Sequence, residues 1–145
     1  MNADTPTLDD YFDGCLYFSI SRLQRHINKL AENAFASTGL APSHAFLLMA
    51  LDEREALSAG EISDLLGMAP STITRFVDKL AKEGLCERRM EGRVSYTSIT
   101  PKGRALMPAI RDAWTHLFDA YNGEFGEAEA DNLNKAIVAM NMKVR

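Results

Sequence analysis

The sequence predicts a mainly α-helical chain with one small β-hairpin, on three observations. Apolar residues recur in steps of three and four along most of its length. Cap and stop residues (Thr7, Ser58, Gly67, Pro70, Gly84, Thr100) cut that pattern into separate helices. Past Gly84 the period changes to that of short strands, CERRM and RVSYTSI, before helical spacing resumes.

The first helix is expected from Thr7, where Thr7 and Asp10 stand in capping-box spacing. Phe12, Leu16, Ile20, Leu23, Ile27, Leu30 and Ala34 give it a seam of about three heptads, which calls for a partner helix. Ser37-Thr38-Gly39 ends it, and a second helix follows Pro42 with Phe46, Leu47, Met49, Ala50 and Leu51. A third starts with a capping box at Ser58 and Glu61, has one apolar face of Ile62, Leu65 and Leu66, and stops at Gly67. After a tight turn, Pro70 suits the first position of a fourth helix, whose stripe is Ile73, Phe76, Val77, Leu80 and Ala81. Two short helices joined by such a turn make a helix-turn-helix. The strands after Gly84 are expected to turn at Glu91-Gly92. Thr100 and Pro101 then open a helix carrying Leu106, Ile110, Trp114, Leu117 and Tyr121, expected to stop at Asn122-Gly123. The last helix holds Leu133, Ile137, Met140 and Val144. The fold class is therefore a winged helix-turn-helix core over 40–100, flanked by N- and C-terminal helices over 7–38 and 101–145. All of it is read as one domain, 1–145.

At 145 residues the chain is long enough to bury a core without a metal or disulfide staple. No apolar run approaches the ~20 residues of a membrane span, and MNADTPTLDD lacks the pattern of a signal peptide. Two cysteines 71 positions apart make no disulfide framework, so a cytoplasmic setting without membrane contact is expected. His26, His44 and His116 are widely spaced, so no metal or cofactor is implied, and ordinary polar contacts are expected of them. No nucleophile–base set, phosphate loop or carboxylate pair points to an enzyme.

Charge is unevenly distributed. The net charge is −4, yet the window from Ser71 to Arg104 holds eight basic and four acidic residues, against eight basic and sixteen acidic elsewhere. Such a cationic segment in an anionic chain suggests a local polyanion site. Removing the buried stripe from the fourth helix leaves Ser71, Thr72, Thr74, Arg75, Asp78, Lys79 and Lys82. Arginine can bridge guanine O6 and N7, and hydroxyls reach base edges or phosphates, so Thr72 and Arg75 suit bases. Lys79 and Lys82, deeper along the helix, suit phosphates, as do the N–H groups near Pro70, Ser71 and Thr72. Arg88, Arg89 and Arg93 on the hairpin extend the reach to the flanking backbone or minor groove of double-stranded DNA. The competing class is an interaction module whose winged helix contacts protein.

EISDLLGMAPSTITRFVDKLAKEGLCERR followed by VSYTSITPKGRAL resembles the core of the MarR family of bacterial regulators. The resemblance implies a homodimer held by its first and last helices, usually a repressor, bound to a pseudo-palindromic operator. It implies recognition by Ser71, Thr72, Thr74, Arg75 and Lys79 in the helix at 70–83, and a wing at 87–95. A small aromatic or phenolic effector is implied too. The family wing commonly ends in an acid, another residue and an arginine, matched by Glu91, Gly92 and Arg93, with the acid orienting the arginine. This wing is several residues shorter than usual. The usual acidic cap of the recognition helix is Ala69 here, a local loss of about 1 kcal/mol. Cys15 stands where the peroxide-sensing branch carries its reactive cysteine, although Ser19 and Lys29 replace the supporting tyrosines. Its other reading is a small hydrophobe at a helix interface, and Cys86 reads as a strand-packing residue.

Overall fold

A computed structural model of the chain describes residues 5–145. It is mainly helical, with a small antiparallel sheet, as the sequence predicts. Two compact units are present, one spanning residues 34–116 and the other combining the chain up to Asn33 with the stretch from Leu117 onward.

The first described helix, α1, is only Leu8–Phe12, and the next, α2, is Leu16–Phe35, so the single long helix expected from Thr7 is broken. Its cap is as expected: the Thr7 hydroxyl accepts from the Asp10 N–H, and the Asp10 carboxylate accepts from the Thr7 N–H at 2.8 Å. The break follows from Gly14. The N–H groups of Asp13 and Gly14 both donate to the Asp9 carbonyl, at 2.8 and 3.0 Å. A Cβ on Gly14 would lie 2.9 Å from the Asp10 carbonyl oxygen, so a side chain there would resist this turn. The bend brings Phe12 edge-on to Phe18 at 4.6 Å, with the Arg22 guanidinium 4.9 Å from the Phe18 ring centroid. Favourable ring and cation contacts of this kind reinforce the turn.

The 34–116 unit holds the core. Ala36–Thr38 form a 3₁₀ turn ended by Gly39 at φ 73°, and α3 spans Pro42–Glu53. A two-residue strand, β1 (Leu57–Ser58), leads into α4, Ala59–Leu66, capped by the Ser58 hydroxyl. Helix α5 is Pro70–Lys82, followed by strands β2 (Cys86–Glu91) and β3 (Val94–Ile99). The sheet order is β1-β3-β2, so β3 is central. The sequence reading missed β1, because two residues beside a capping signal carry no strand periodicity. Phe35, Leu47, Leu48, Leu51, Ile62, Ile73, Leu80 and Ile110 are fully buried. Each contributes about 1.5–3 kcal/mol by leaving water.

Thr100 and Pro101 start a helix as expected, but α6 is only Pro101–Ala105 and α7 resumes at Met107–Phe125. Pro108 explains the interruption: it has no N–H for the Arg104 carbonyl, and the preceding Leu106 N–H turns back to Gly103 at 3.1 Å. Helix α7 passes through Asn122-Gly123, where a stop was expected, and ends before Gly126 at φ 90°. A glycine inside a helix costs only about 1 kcal/mol, which the surrounding helix outweighs. Helix α8 is Glu127–Lys143.

In the second unit the buried residues among those described are few, namely Ala31, Leu117 and Ala130. His26 Nε2 meets the Glu124 carboxylate at 2.5 Å, and the His26 ring lies near Phe125. Large apolar side chains remain uncovered: Leu16 is 74% exposed, Ile20 52% and Met140 56%, with Leu133 and Ile137 also exposed. Among the described residues no single helix is long and apolar enough to cross a membrane.

Candidate nucleic-acid interface

Helix α5 presents its polar residues because its apolar ones are committed to the core. Ile73, Val77 and Leu80 are buried and Phe76 is half-buried, which fixes the rotation of the helix. At about 100° per residue, the opposite face is centred on Ser71, Arg75, Asp78 and Lys82. All four are exposed, as are Thr74 and Lys79. Thr72 lies on the flank and is half-buried, so it is less open than the sequence spacing suggests. The Thr74 hydroxyl donates to the Pro70 carbonyl at 3.1 Å, which leaves it the capacity to accept.

The start of α5 is uncapped, with Ala69 at the N-cap and Pro70 in the first turn. The N–H groups of Thr72 and Ile73 both donate to the Ala69 carbonyl, at 3.0 and 3.1 Å. The Thr72 amide is thus engaged within the turn, and Pro70 has none to offer. Of the three amides that the sequence suggested for a phosphate, Ser71 alone remains.

The other end of α5 is tied down by the segment ITPKGR. The Thr100 hydroxyl donates to the Gly84 carbonyl at 2.6 Å, the Thr100 N–H to Leu85 at 3.1 Å, and Lys102 Nζ to Glu83 at 2.8 Å. Three successive carbonyls after α5, which would otherwise lack partners, are satisfied in this way. Gly103 lets the two segments touch, since a Cβ there would sit 2.1 Å from the Leu85 carbonyl oxygen. Lys102, counted in the cationic window, therefore acts as a clasp.

The hairpin divides its arginines between two faces. Cys86 is buried against α5, its thiol 3.7 Å from the Val77 carbonyl, and burial pushes that thiol up to about 11 despite the nearby Arg88. Strand alternation then puts Arg88 on the same inner side. Its guanidinium donates to the Thr74 carbonyl at 3.1 Å and pairs with Asp78 at 2.5 Å. Arg89 and Glu91, on the outer side, pair with each other at 2.7 Å. The acid of the Glu91-Gly92-Arg93 triplet is thus bound to Arg89, and the expected orientation of Arg93 by Glu91 is not what forms. The turn is Gly92-Arg93, one residue later than expected, because Glu91 pairs with Val94. Gly92 at φ 63° suits the first central position of a type II′ turn. Arg93 stands exposed at the tip.

Behind α5, His44 of α3 packs its ring 4.4 Å from Phe76. Its Nδ1 is buried without a hydrogen-bond partner, so at that atom the polar contact expected of this histidine is not made. Burial holds its pKa below the ordinary 6.5, Lys79 adds to that effect, and Glu83 opposes it. Cys15, by contrast, is half-buried at the α1–α2 bend, with Tyr11 and Tyr17 exposed nearby in sequence. Among the described residues there is no cluster of histidine, cysteine and acidic groups fit to hold a metal ion.

A helix-turn-helix with a cationic second helix, flanked by a basic hairpin, defines the winged-helix class. Residues 40–91 match the model of the MarR family. The CouR transcriptional repressor bound to a 23-mer DNA duplex superposes with a TM-score of 0.81 and 22% identity, covering 95% of this chain and 99% of that one. BpsR of Bordetella bronchiseptica, described as regulated in DNA binding by 6-hydroxynicotinic acid, gives a TM-score of 0.83 at 15% identity, covering 95% and 98%. A riboflavin kinase of Thermococcus kodakarensis is 38% identical over an alignment of 72 positions, with 46% of this chain and 34% of the kinase covered. The chain spans about a third of the length of the curated relatives it matches. Residues 40–91 thus match the MarR family model, in a chain that shares its winged-helix fold with these solved regulators.

Proposed function

We propose that the chain is a cytoplasmic, sequence-specific DNA-binding transcriptional regulator, a repressor that binds a pseudo-palindromic operator as a homodimer. The observation that carries this reading is the exposed face of α5. Ser71, Thr74, Arg75, Lys79 and Lys82 are held outward by Ile73, Val77 and Leu80, with Thr72 at its flank. Arg75 and the two threonines would read base edges in the major groove, and Lys79, Lys82, Arg89 and Arg93 would meet phosphates. The solved structure of CouR with a DNA duplex supports a polyanion partner for this architecture. The uncovered Leu16, Ile20, Leu133, Ile137 and Met140 support self-association through the first and last helices. Two-fold pairing would set two recognition helices about 34 Å apart, one turn of DNA.

An effector belongs to the same proposal. BpsR and CouR are described with 6-hydroxynicotinic acid and p-coumaroyl-CoA, which supports a small aromatic or phenolic molecule as the switching ligand. Selection of duplexes from a random library by the wild-type protein tests the core of the reading. Recovery of one inverted-repeat sequence is expected. Failure to recover any preferred sequence at low salt would favour the protein-interaction module instead.

A further inference from the structure

Three arginines lie on the hairpin, and one is not placed like the others. All three are exposed, but the Arg88 side chain is 35% exposed against 68% for Arg89, and its guanidinium is engaged by α5 at two points. One is the Thr74 carbonyl at 3.1 Å, and the other is the Asp78 carboxylate at 2.5 Å. Its backbone position is fixed as well: Arg88 pairs with the buried Thr97 of the central strand, and Cys86 on the same side is anchored beneath Val77. The cleft between α4, α5 and the sheet is lined by Ile62, Ile73, Val77, Asp78, Arg88 and Thr97 among others, so this pair forms part of its wall.

Resting on the DNA-binding reading above, we propose that Arg88 is a positioning residue that clamps the hairpin to the recognition helix through Asp78 and the Thr74 carbonyl, and is not a phosphate contact. An acid on a face meant for phosphate is otherwise a cost, since it repels the polyanion. Asp78 is retained on that face because it holds Arg88. The clamp fixes the distance between the side chains of α5 and the arginines at the hairpin tip, so one docking event engages both. Both contacts run through the one Nη2 nitrogen, which lies farther along the side chain than a lysine ammonium reaches.

The test uses the full-length protein and the duplex it selects. Asp78→Asn makes the face more positive, so a simple charge account predicts tighter binding. The clamp predicts the reverse, a loss on the order of tenfold. For Arg88→Ala the clamp predicts a similar loss with an unchanged log–log salt slope, whereas a phosphate contact would flatten that slope by about 0.9. Arg88→Lys keeps the charge and is expected to recover little affinity. Hydrogen exchange reads the clamp without DNA. The amides of 87–94 should exchange faster in Asp78→Asn and Arg88→Ala, with α3 and α4 unchanged. Tighter binding by Asp78→Asn, a flattened slope in Arg88→Ala, or unaltered hairpin exchange would each overturn the proposal. If the wild-type protein selects no duplex, the DNA-binding reading fails, and the clamp is then judged by exchange alone.

Discussion

At the scale of single residues, His44 and Gly103 show how tightly the recognition helix is supported from behind. Packing on Phe76 favours the neutral form of His44, because burial lowers its pKa below 6.5. The unfolded chain therefore takes up a proton that the folded one refuses as pH falls. Its contribution to stability is full above 6.5 and is lost as pH drops through the folded value. Replacing it by His44→Phe should reduce the difference in denaturant midpoint between pH 7.5 and pH 5; an unchanged difference would remove His44 from the account. Gly103→Ala forces a Cβ into the Leu85 carbonyl and should cost about 3 kcal/mol or more in chemical denaturation. The two cysteines should separate by reactivity. Cys86, buried and raised to about 11, should resist alkylation at neutral pH while half-buried Cys15 reacts. A sensor role for Cys15 further requires that mild peroxide weaken duplex binding by wild type and not by Cys15→Ser; binding that survives peroxide ends that role.

At the scale of elements, α5 was legible because one helix carried both signals, an apolar stripe and a polar remainder. Arg75→Ala should relax base preference, whereas Lys82→Ala should weaken all sequences alike and flatten the salt slope by about 0.9. Equal binding by both variants would misplace the face. The hairpin was harder to read. Cys86 was recognisable as a packing residue, and strand parity then places Arg88 inward with it, yet charge alone groups Arg88 with Arg89 and Arg93. The partner, Asp78, lies ten positions earlier, and no local period links them. The same limit applies to Lys102 and Thr100, whose acceptors are carbonyls on another element. Breaks in helices were missed where a single residue decides the backbone, as Gly14 and Pro108 do against an uninterrupted apolar pattern.

At the scale of the whole molecule, the acidic character lies largely outside the segment from Ser71 to Arg104, and the uncovered apolar side chains include Leu16 and Ile20 of α2 and Leu133, Ile137 and Met140 of α8. The proposed dimer gives those side chains a partner. Sedimentation at micromolar concentration should report twice the chain mass, and Ile137→Glu should shift it toward the monomer with a loss of duplex affinity. A monomeric wild type would sink the two-fold architecture. Duplex binding should also weaken steeply with salt, as expected when several phosphates are neutralised together. The central claim is that the outward face of α5 reads DNA bases, and the most direct measurement is duplex selection carried out in parallel with wild type and Arg75→Ala. The account predicts one inverted repeat for the wild type, and for the variant a loss of preference at the same position in each half-site. Recovery of the same sequence with equal affinity by both proteins would contradict it.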